Sequence, residues 1–120
     1  MNNYPTDTLV DIEWLKQHLV DANLRILDVR IDDPRYSDGY RMEHVPGAVA
    51  LDVERDFFVY GNGKPGLAAP GQLAQIFAQR GIANDTRIVL YDEWTGQAAA
   101  IAFWVLRYLG HRDIRILNGG

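Results

Sequence analysis

An α/β fold, with a mainly parallel sheet between two layers of helices, is the fold class that this sequence predicts. Short apolar runs rich in β-branched residues alternate along the chain with segments whose apolar residues recur at helical spacing. The links between them are short, which favours parallel strands joined by helices. With 120 residues and 48% hydrophobic content, the chain is long enough for one compact core and too short for two ordinary domains. We therefore predict a single three-layer α/β/α domain over residues 1–120.

The first part of the chain predicts a helix, a strand and a surface loop. Asp11 is a favourable N-cap for a helix over Ile12–Val20, where apolar residues recur on one face. The run Leu24–Val29 is rich in leucine and β-branched residues and too short for a typical helix, so it predicts a strand. The polar stretch Asp32–Glu43 then predicts a loop on the surface.

The next part predicts a turn, a brief strand and a flexible loop. Residues His44–Gly47 predict the turn, since proline fixes φ and the glycine after it tolerates positive φ. Ala48–Leu51 leaves that turn as a second strand, and the glycine-rich segment Gly61–Gly66 predicts a flexible loop. The Gly61–Lys64 portion resembles a phosphate-binding loop only superficially, because it lacks the spacer between the glycines and the Ser or Thr after the lysine.

The last part predicts two helices and two further strands. Pro70 suits the first position of a helix whose apolar face runs up to Gly81. The strand Arg87–Tyr91 has almost no polar alternation, as in strands buried on both faces of a parallel sheet, so it is predicted to be central. The segment Gln97–Leu109 predicts a helix apolar enough on all sides to be largely buried. Ile114–Leu117 is the last predicted strand.

Composition excludes several classes of function. With 12 Lys and Arg against 16 Asp and Glu, the net charge of −4 gives no basic field that would gather nucleic acid or anionic lipid. The segment Met1–Asp7 has neither a signal-peptide nor a transit pattern, and no apolar run is long enough to cross a bilayer, so we expect a cytoplasmic protein without nucleic-acid or membrane partners. The absence of cysteine excludes a disulfide, a thiolate metal site and a cysteine nucleophile.

A candidate site lies where the predicted central strand ends. Parallel α/β sheets bind ligands at the carboxyl ends of their strands, and a loop that leads from a strand into a helix gathers unpaired backbone N–H groups at the positive end of the helix dipole. This loop consists of Asp92, Glu93, Trp94, Thr95, Gly96 and Gln97. A cysteine at the first position would have a lowered pKa and could carry a persulfide, but this chain has Asp92 there.

Asp92 is predicted to have a structural role. Its carboxylate can accept the amide hydrogen bonds of the loop, and its charge would repel anionic substrates. An aspartyl nucleophile of the Asp-x-Asp-x-Thr type is the enzymatic alternative; Thr95 fits that pattern, but Trp94 stands where the second carboxylate is needed. We expect neither a metal nor a cofactor at this loop.

The histidines and the large aromatic residues of the helices are also predicted to be structural. His18, His44 and His111 lack the regular spacing of a metal site. Trp94, in the loop, is interpreted as a lid or interface residue, whereas the aromatic residues in helices are predicted to pack in the core. This core set consists of Trp14, Phe103, Trp104 and Tyr108.

Short segments spread along the chain carry a family resemblance. They are Ile26–Arg30, Glu43–Ala48, Gly81–Thr86, Val89–Asp92, Leu109–His111 and Leu117–Gly120. Together they resemble rhodanese domains over nearly the whole chain. The resemblance is specific to the N-terminal domains of two-domain thiosulfate and 3-mercaptopyruvate sulfurtransferases, where an Asp likewise ends the strand that carries cysteine in catalytic domains.

The resemblance implies a rhodanese-like α/β fold in which Asp92 occupies the position of the nucleophilic cysteine. It also implies a second rhodanese domain that carries the cysteine, so this chain would be an inactive partner that supports the active site of that domain. We expect truncation at the C-terminal side, because the family continues beyond Gly120 into a further helix. Without that helix the domain is expected to expose apolar sheet surface and to self-associate.

A stand-alone binding module is the alternative from a different class of function. The amide-rich loop and Trp94 would then recognise a peptide or small ligand without turnover, and no second domain would be needed. The sequence leaves open whether a complete protein prefers thiosulfate or 3-mercaptopyruvate, because the loop after the missing cysteine sets that choice.

Overall fold

A computed structural model describes residues 8–30, 45–61, 63–92 and 96–117 of the chain. In chain order the elements are β1 (Leu9–Val10), α1 (Ile12–His18), β2 (Leu24–Asp28), β3 (Val49–Ala50), α2 (Val53–Phe57), β4 (Phe58–Gly61), β5 (Lys64–Leu67), α3 (Pro70–Ala78), β6 (Arg87–Tyr91), α4 (Gln97–Tyr108) and β7 (Ile114–Leu117). No helix in the described part of the chain combines the length and the apolar character needed to cross a membrane.

The main sheet confirms the predicted parallel architecture. Its strands follow the order β1-β7-β6-β2-β3, and every described pairing between them is parallel. The strand predicted to be central, β6, lies between β2 and β7 and has the predicted bounds. Val89 and Leu90 point to opposite faces and are both fully buried, which explains the lack of polar alternation in this strand.

Helices cover both faces of this sheet. On one face, Leu15 of α1 packs with Val10, Ile26 and Val89. On the other face, side chains of α2, α3 and α4 pack against Leu27, Ile88 and Leu90 of the strands and form the larger core; its fully buried aromatic members are Phe57, Phe77 and Phe103. The result is the predicted three-layer α/β/α arrangement.

The predicted flexible loop Gly61–Gly66 is instead part of a β-hairpin. Strands β4 and β5 pair antiparallel, with Gly61 opposite Lys64 and Phe58 opposite Leu67. An Asn-Gly pair between two short runs is a strong signal for a tight hairpin turn, and Gly63 adopts the positive φ of 75° that such turns use. The same glycine content that suggested flexibility therefore specifies a turn. The short elements β1 and α2 also have no counterpart in the sequence-based prediction.

Helix α4 is not buried on all sides, and the prediction that Trp104 and Tyr108 pack in the core is wrong. Phe103 is buried as predicted, but the exposed fractions of Trp104 and Tyr108 are 52% and 63%. Ile101, at 37% exposure, continues the same stripe along the helix. The face that meets the sheet includes the small side chain of Ala102, so only part of the apolar circumference is needed for packing. Trp14, on α1, is half-buried rather than enclosed in the core.

The expected uncovered apolar sheet is also absent from the described residues. On the face covered by α1, Ile26, Val89 and Leu117 are at most 8% exposed. Large exposed apolar side chains occur on α4 at Trp104 and just beyond α1 at Val20, and also on the edge strand β1 at Leu9 and on the hairpin at Val59 and Leu67. Self-association stays a prediction, and these exposed side chains are its candidate locations.

A buried polar network ties the carboxyl ends of β2 and β6 together. The Asp28 side chain is 1% exposed and accepts hydrogen bonds from the Arg30 guanidinium, at 2.9 Å to Nε and 2.5 Å to Nη2. It also accepts one from the Tyr91 hydroxyl at 3.0 Å. That hydroxyl accepts in turn from the backbone N–H of Val45 at 3.1 Å, so the turn before β3 is fixed to the same point. Burial of the charge is tolerated because each group has a partner.

This network predicts a characteristic pH dependence of stability. Burial raises the pKa of Tyr91 from 10.0 to about 12; the Val45 hydrogen bond opposes this effect and the Asp28 charge adds to it. Between these two values the unfolded chain releases a proton that the folded chain keeps, so the free energy of unfolding falls as the pH rises, by about 1 kcal/mol per pH unit from this group. The variant Tyr91→Phe has no hydroxyl that titrates, so its free energy of unfolding lacks this dependence on pH. Urea titrations across this range should show the two stability curves converging.

At neutral pH we expect Tyr91→Phe to be less stable than the native chain by about 1–2 kcal/mol, because Asp28 and Val45 each lose a hydrogen bond. Parallel curves for the two proteins from pH 10 to pH 12 would contradict the assignment of a raised pKa to Tyr91.

Candidate functional site

The candidate site is the point where the central strand β6 passes into the loop before α4. Asp92 follows Tyr91 directly and is 7% exposed. Its Oδ2 accepts a hydrogen bond of 3.0 Å from the backbone N–H of Ala99, the third residue of α4. The carboxylate therefore lies on the first turn of the helix, where unpaired amides and the helix dipole both favour negative charge.

The start of α4 explains why the helix takes its acceptor from the preceding strand. The N-cap residue is Gly96, which has a φ of 73° and no side chain that could accept an amide hydrogen bond. Asp92 lies seven residues before Ala99 and supplies the acceptor from outside the helix. Most helices instead carry a Ser, Thr, Asp or Asn cap at the first position. In this chain the carboxylate at the strand end performs the capping.

A second buried carboxylate lies on the neighbouring strand at the same edge of the sheet. Asp28 ends β2 and is in register with Tyr91, the residue before Asp92. The Asp28 carboxylate pairs with the Arg30 guanidinium, and the Asp92 carboxylate accepts the hydrogen bond of the Ala99 amide of α4. No group of three or more His, Asp or Glu side chains within the described ranges is placed to hold a metal ion.

The structure describes three of the six predicted loop residues. Asp92 and Gly96 flank the helix start as described above, and Gln97 is the exposed first residue of α4. Glu93, Trp94 and Thr95 lie outside the described residues. The interpretation of Trp94 as a lid residue and the comparison of Thr95 with an aspartyl phosphotransferase motif are therefore not tested by the structure.

The two histidines that the structure describes, His18 and His111, lie apart from each other on α1 and beyond α4. His18 Nδ1 lies 2.7 Å from the backbone oxygen of Trp14, and the His18 ring stacks on the Trp14 ring with centroids 3.9 Å apart. His111 is buried beyond the far end of α4, and His44 lies outside the described residues.

Sequence reasoning missed the bond between Tyr91 and Asp28. Each residue belongs to a segment that carries the family resemblance, but the two are 63 positions apart in the chain. The available signal was a polar residue near the end of each of two predicted strands. In a parallel sheet such ends meet at one edge, which places the tyrosine hydroxyl next to the carboxylate.

A comparison with protein families identifies the fold family. The model of the rhodanese-like domain matches residues 11–120. This chain belongs to the rhodanese family. The resemblance seen in the sequence is thereby confirmed, as is the class of the fold.

Relatives of this rhodanese domain include sulfurtransferases and a sulfur carrier. It is 37% identical over 117 residues to the sulfur carrier protein TtuD of Thermus thermophilus, covering 95% of this chain and 38% of TtuD. It is 36% identical over 120 residues to the probable 3-mercaptopyruvate sulfurtransferase of Pseudomonas aeruginosa, covering 93% of this chain and 42% of that protein.

A solved structure gives the same assignment. The crystal structure of SseA from Escherichia coli, described as a 3-mercaptopyruvate sulfurtransferase with the rhodanese fold, superimposes with a TM-score of 0.79 at 30% sequence identity. The match covers 96% of this chain and 47% of the SseA chain. The rhodanese domain thus spans less than half the length of each of these three relatives.

Asp92→Ala should destabilise the domain by about 1–2 kcal/mol, because the Ala99 amide loses its acceptor and the helix dipole loses a neighbouring negative charge. Asp92→Asn is the matched control. It keeps an oxygen that can accept the hydrogen bond, so only the charge is lost and the expected cost is about 0.5 kcal/mol. Urea unfolding followed by circular dichroism measures both. An alanine variant as stable as the native domain would show that the carboxylate does not stabilise the start of α4.

Proposed function

We propose that this chain is the non-catalytic rhodanese domain of a longer sulfurtransferase, in which a second rhodanese domain supplies the catalytic cysteine. The observation that carries the proposal is the Asp92 carboxylate on the first turn of α4, at the position where the family resemblance puts the sulfur-carrying cysteine. The chain contains no cysteine that could take over this role from another position. The role left to the domain is to support the active site of its partner.

The chemistry of sulfur transfer supports this reading. A cysteine thiolate attacks the donor and keeps the transferred sulfur as a persulfide, whereas a carboxylate oxygen has no sulfur with which to form that bond. The amide that would stabilise such a thiolate already bonds to Asp92. An anionic donor would also meet the Asp92 charge. Two unit charges 4 Å apart repel by about 4 kcal/mol at an effective dielectric constant of about 20.

The names and lengths of the relatives support the rest of the proposal. The domain spans 42% of the probable 3-mercaptopyruvate sulfurtransferase and 36% of a putative thiosulfate sulfurtransferase of Mycobacterium tuberculosis, which leaves room for a second domain in each. We therefore propose that the complete protein acts on thiosulfate or 3-mercaptopyruvate through its second domain. A cytoplasmic location stays a prediction from the sequence.

The network at the sheet edge gives the supporting role a physical basis. Asp28, Arg30, Tyr91 and Val45 form a continuous chain of hydrogen bonds beside Asp92. Such a satisfied buried network resists deformation, because breaking any link leaves a buried polar group without a partner. We propose that this rigid edge forms one wall of the cleft between the two domains.

The purified chain should form no thiocyanate from thiosulfate and cyanide above the rate without protein, and the same should hold with 3-mercaptopyruvate as donor. A two-domain sulfurtransferase assayed in parallel confirms that the reagents support turnover. Thiocyanate formation in proportion to the concentration of this chain would overturn the non-catalytic assignment, provided that Asp92→Asn reduces it.

The coding sequence tests the second half of the proposal. Reading beyond the Gly120 codon should reveal an in-frame second rhodanese domain with a cysteine after its central strand. A stop codon at that point would reject the two-domain assignment and favour a stand-alone binding module.

A further inference from the structure

A polar cavity lies at the opposite end of α4 from Asp92. It has a volume of about 420 Å³ and is lined by Arg107, Gly110, His111 and Arg112. The 12 residues of α4 separate the two ends by about 18 Å. The cavity therefore belongs to the edge of the sheet where β7 begins and is distinct from the strand-end site.

The described lining of this cavity carries positive charge and includes no acidic side chain. Arg107 and Arg112 are both exposed. The Arg107 guanidinium lies over the Phe103 ring at 5.9 Å from its centroid, and Arg112 has no ion-pair partner within the described ranges. The nearby Asp113 carboxylate already bonds to two other arginines, at 3.0 Å to Arg87 and 3.2 Å to Arg115. No described carboxylate that lines the cavity competes for its arginines.

His111 adds a buried polar group to the same lining. Its residue is 8% exposed, and Nδ1 is fully enclosed without a hydrogen-bond partner among the described residues. Burial lowers the pKa of His111, which keeps the imidazole neutral at physiological pH. Since an enclosed N–H without an acceptor is rare in folded proteins, we place the proton on Nε2. Nε2 is not enclosed in this way, and His111 lines the cavity, so we take its Nε2–H as the donor for a ligand there.

The end of α4 does not cancel this positive field. Its carbonyl oxygens would attract cations, but those of Val105, Leu106 and Arg107 accept hydrogen bonds from the backbone N–H groups of residues 109–111. The remaining helix dipole amounts to about half a negative charge, against two full positive charges from the guanidinium groups. The cavity therefore keeps a net positive potential in a chain whose overall charge is −4.

We propose that this cavity binds a small dianionic oxyanion, such as sulfate, thiosulfate or phosphate, between the Arg107 and Arg112 guanidinium groups and His111. Guanidinium groups match the oxygen geometry of tetrahedral anions and bind them through charge-assisted hydrogen bonds. The Nε2–H group of His111 contributes a third hydrogen-bond donor. This site does not use Asp92, so its test is independent of the function proposed above.

Nuclear magnetic resonance of the His111 imidazole tests the site directly. Titration of the whole chain with sodium sulfate at constant ionic strength should give a saturable shift of the His111 ring signals, and parallel titrations with thiosulfate and phosphate identify the preferred anion. Arg112→Gln should weaken binding about tenfold, because it removes a charge-assisted hydrogen bond from an exposed position without disturbing the core. Arg107→Gln should act in the same direction.

The matched control is Arg55→Gln, which makes the same charge change at a side chain that is 72% exposed and lines a different part of the surface. It should leave the dissociation constant unchanged. A linear shift that sodium chloride reproduces, or equal affinities in the native chain, Arg112→Gln and Arg55→Gln, would overturn the proposal.

Discussion

The hydrogen bond from the Ala99 amide to the Asp92 carboxylate joins the central strand of this rhodanese domain to the helix that follows it. Because Gly96 offers no side-chain cap, the start of α4 depends on an acceptor that lies outside the helix. The same contact places a negative charge at the amide-rich end of the strand. One interaction thus contributes to the stability of the fold and, under the proposed function, occupies the amide that a sulfur-carrying thiolate would use.

The two carboxylates at this edge show how similar side chains take different roles. Asp28 is paired with Arg30 and receives the Tyr91 hydroxyl, so its charge is compensated inside the protein. Asp92 accepts a hydrogen bond from the Ala99 amide at the start of α4, where the helix dipole also favours negative charge. The bonds of these two carboxylates hold the strand ends in a fixed arrangement. A domain needs such an arrangement if it supports the active site of another domain.

Much of this fold could be predicted from the sequence because its strongest signals are local. Uniform apolar character defined β6, and a proline at the start and a glycine beyond the end marked α3. The side of α4 that faces the sheet was less accessible, since a helix apolar all round carries no sign of which stripe is covered. Trp104 was therefore misplaced in the core.

Tertiary contacts account for most of what the sequence could not give at the site. The position of Asp92 at a strand end and its suitability for helix amides followed from the strand-loop-helix pattern. Its link to the rest of the edge did not, because Tyr91 meets Asp28 only after two strands have paired across 63 positions. The hairpin β4–β5 was missed for a local reason: its glycines were interpreted as flexibility rather than as a turn.

A crystal structure of the chain soaked in thiosulfate is the most direct test of the central claim that Asp92 keeps sulfur donors from the amides at the start of α4. The account predicts that Asp92 Oδ2 stays within hydrogen-bond distance of the Ala99 amide, as in the 3.0 Å contact described above, with no anion at the start of α4. A carboxylate turned away from the helix, with thiosulfate bound to those amides, would contradict it.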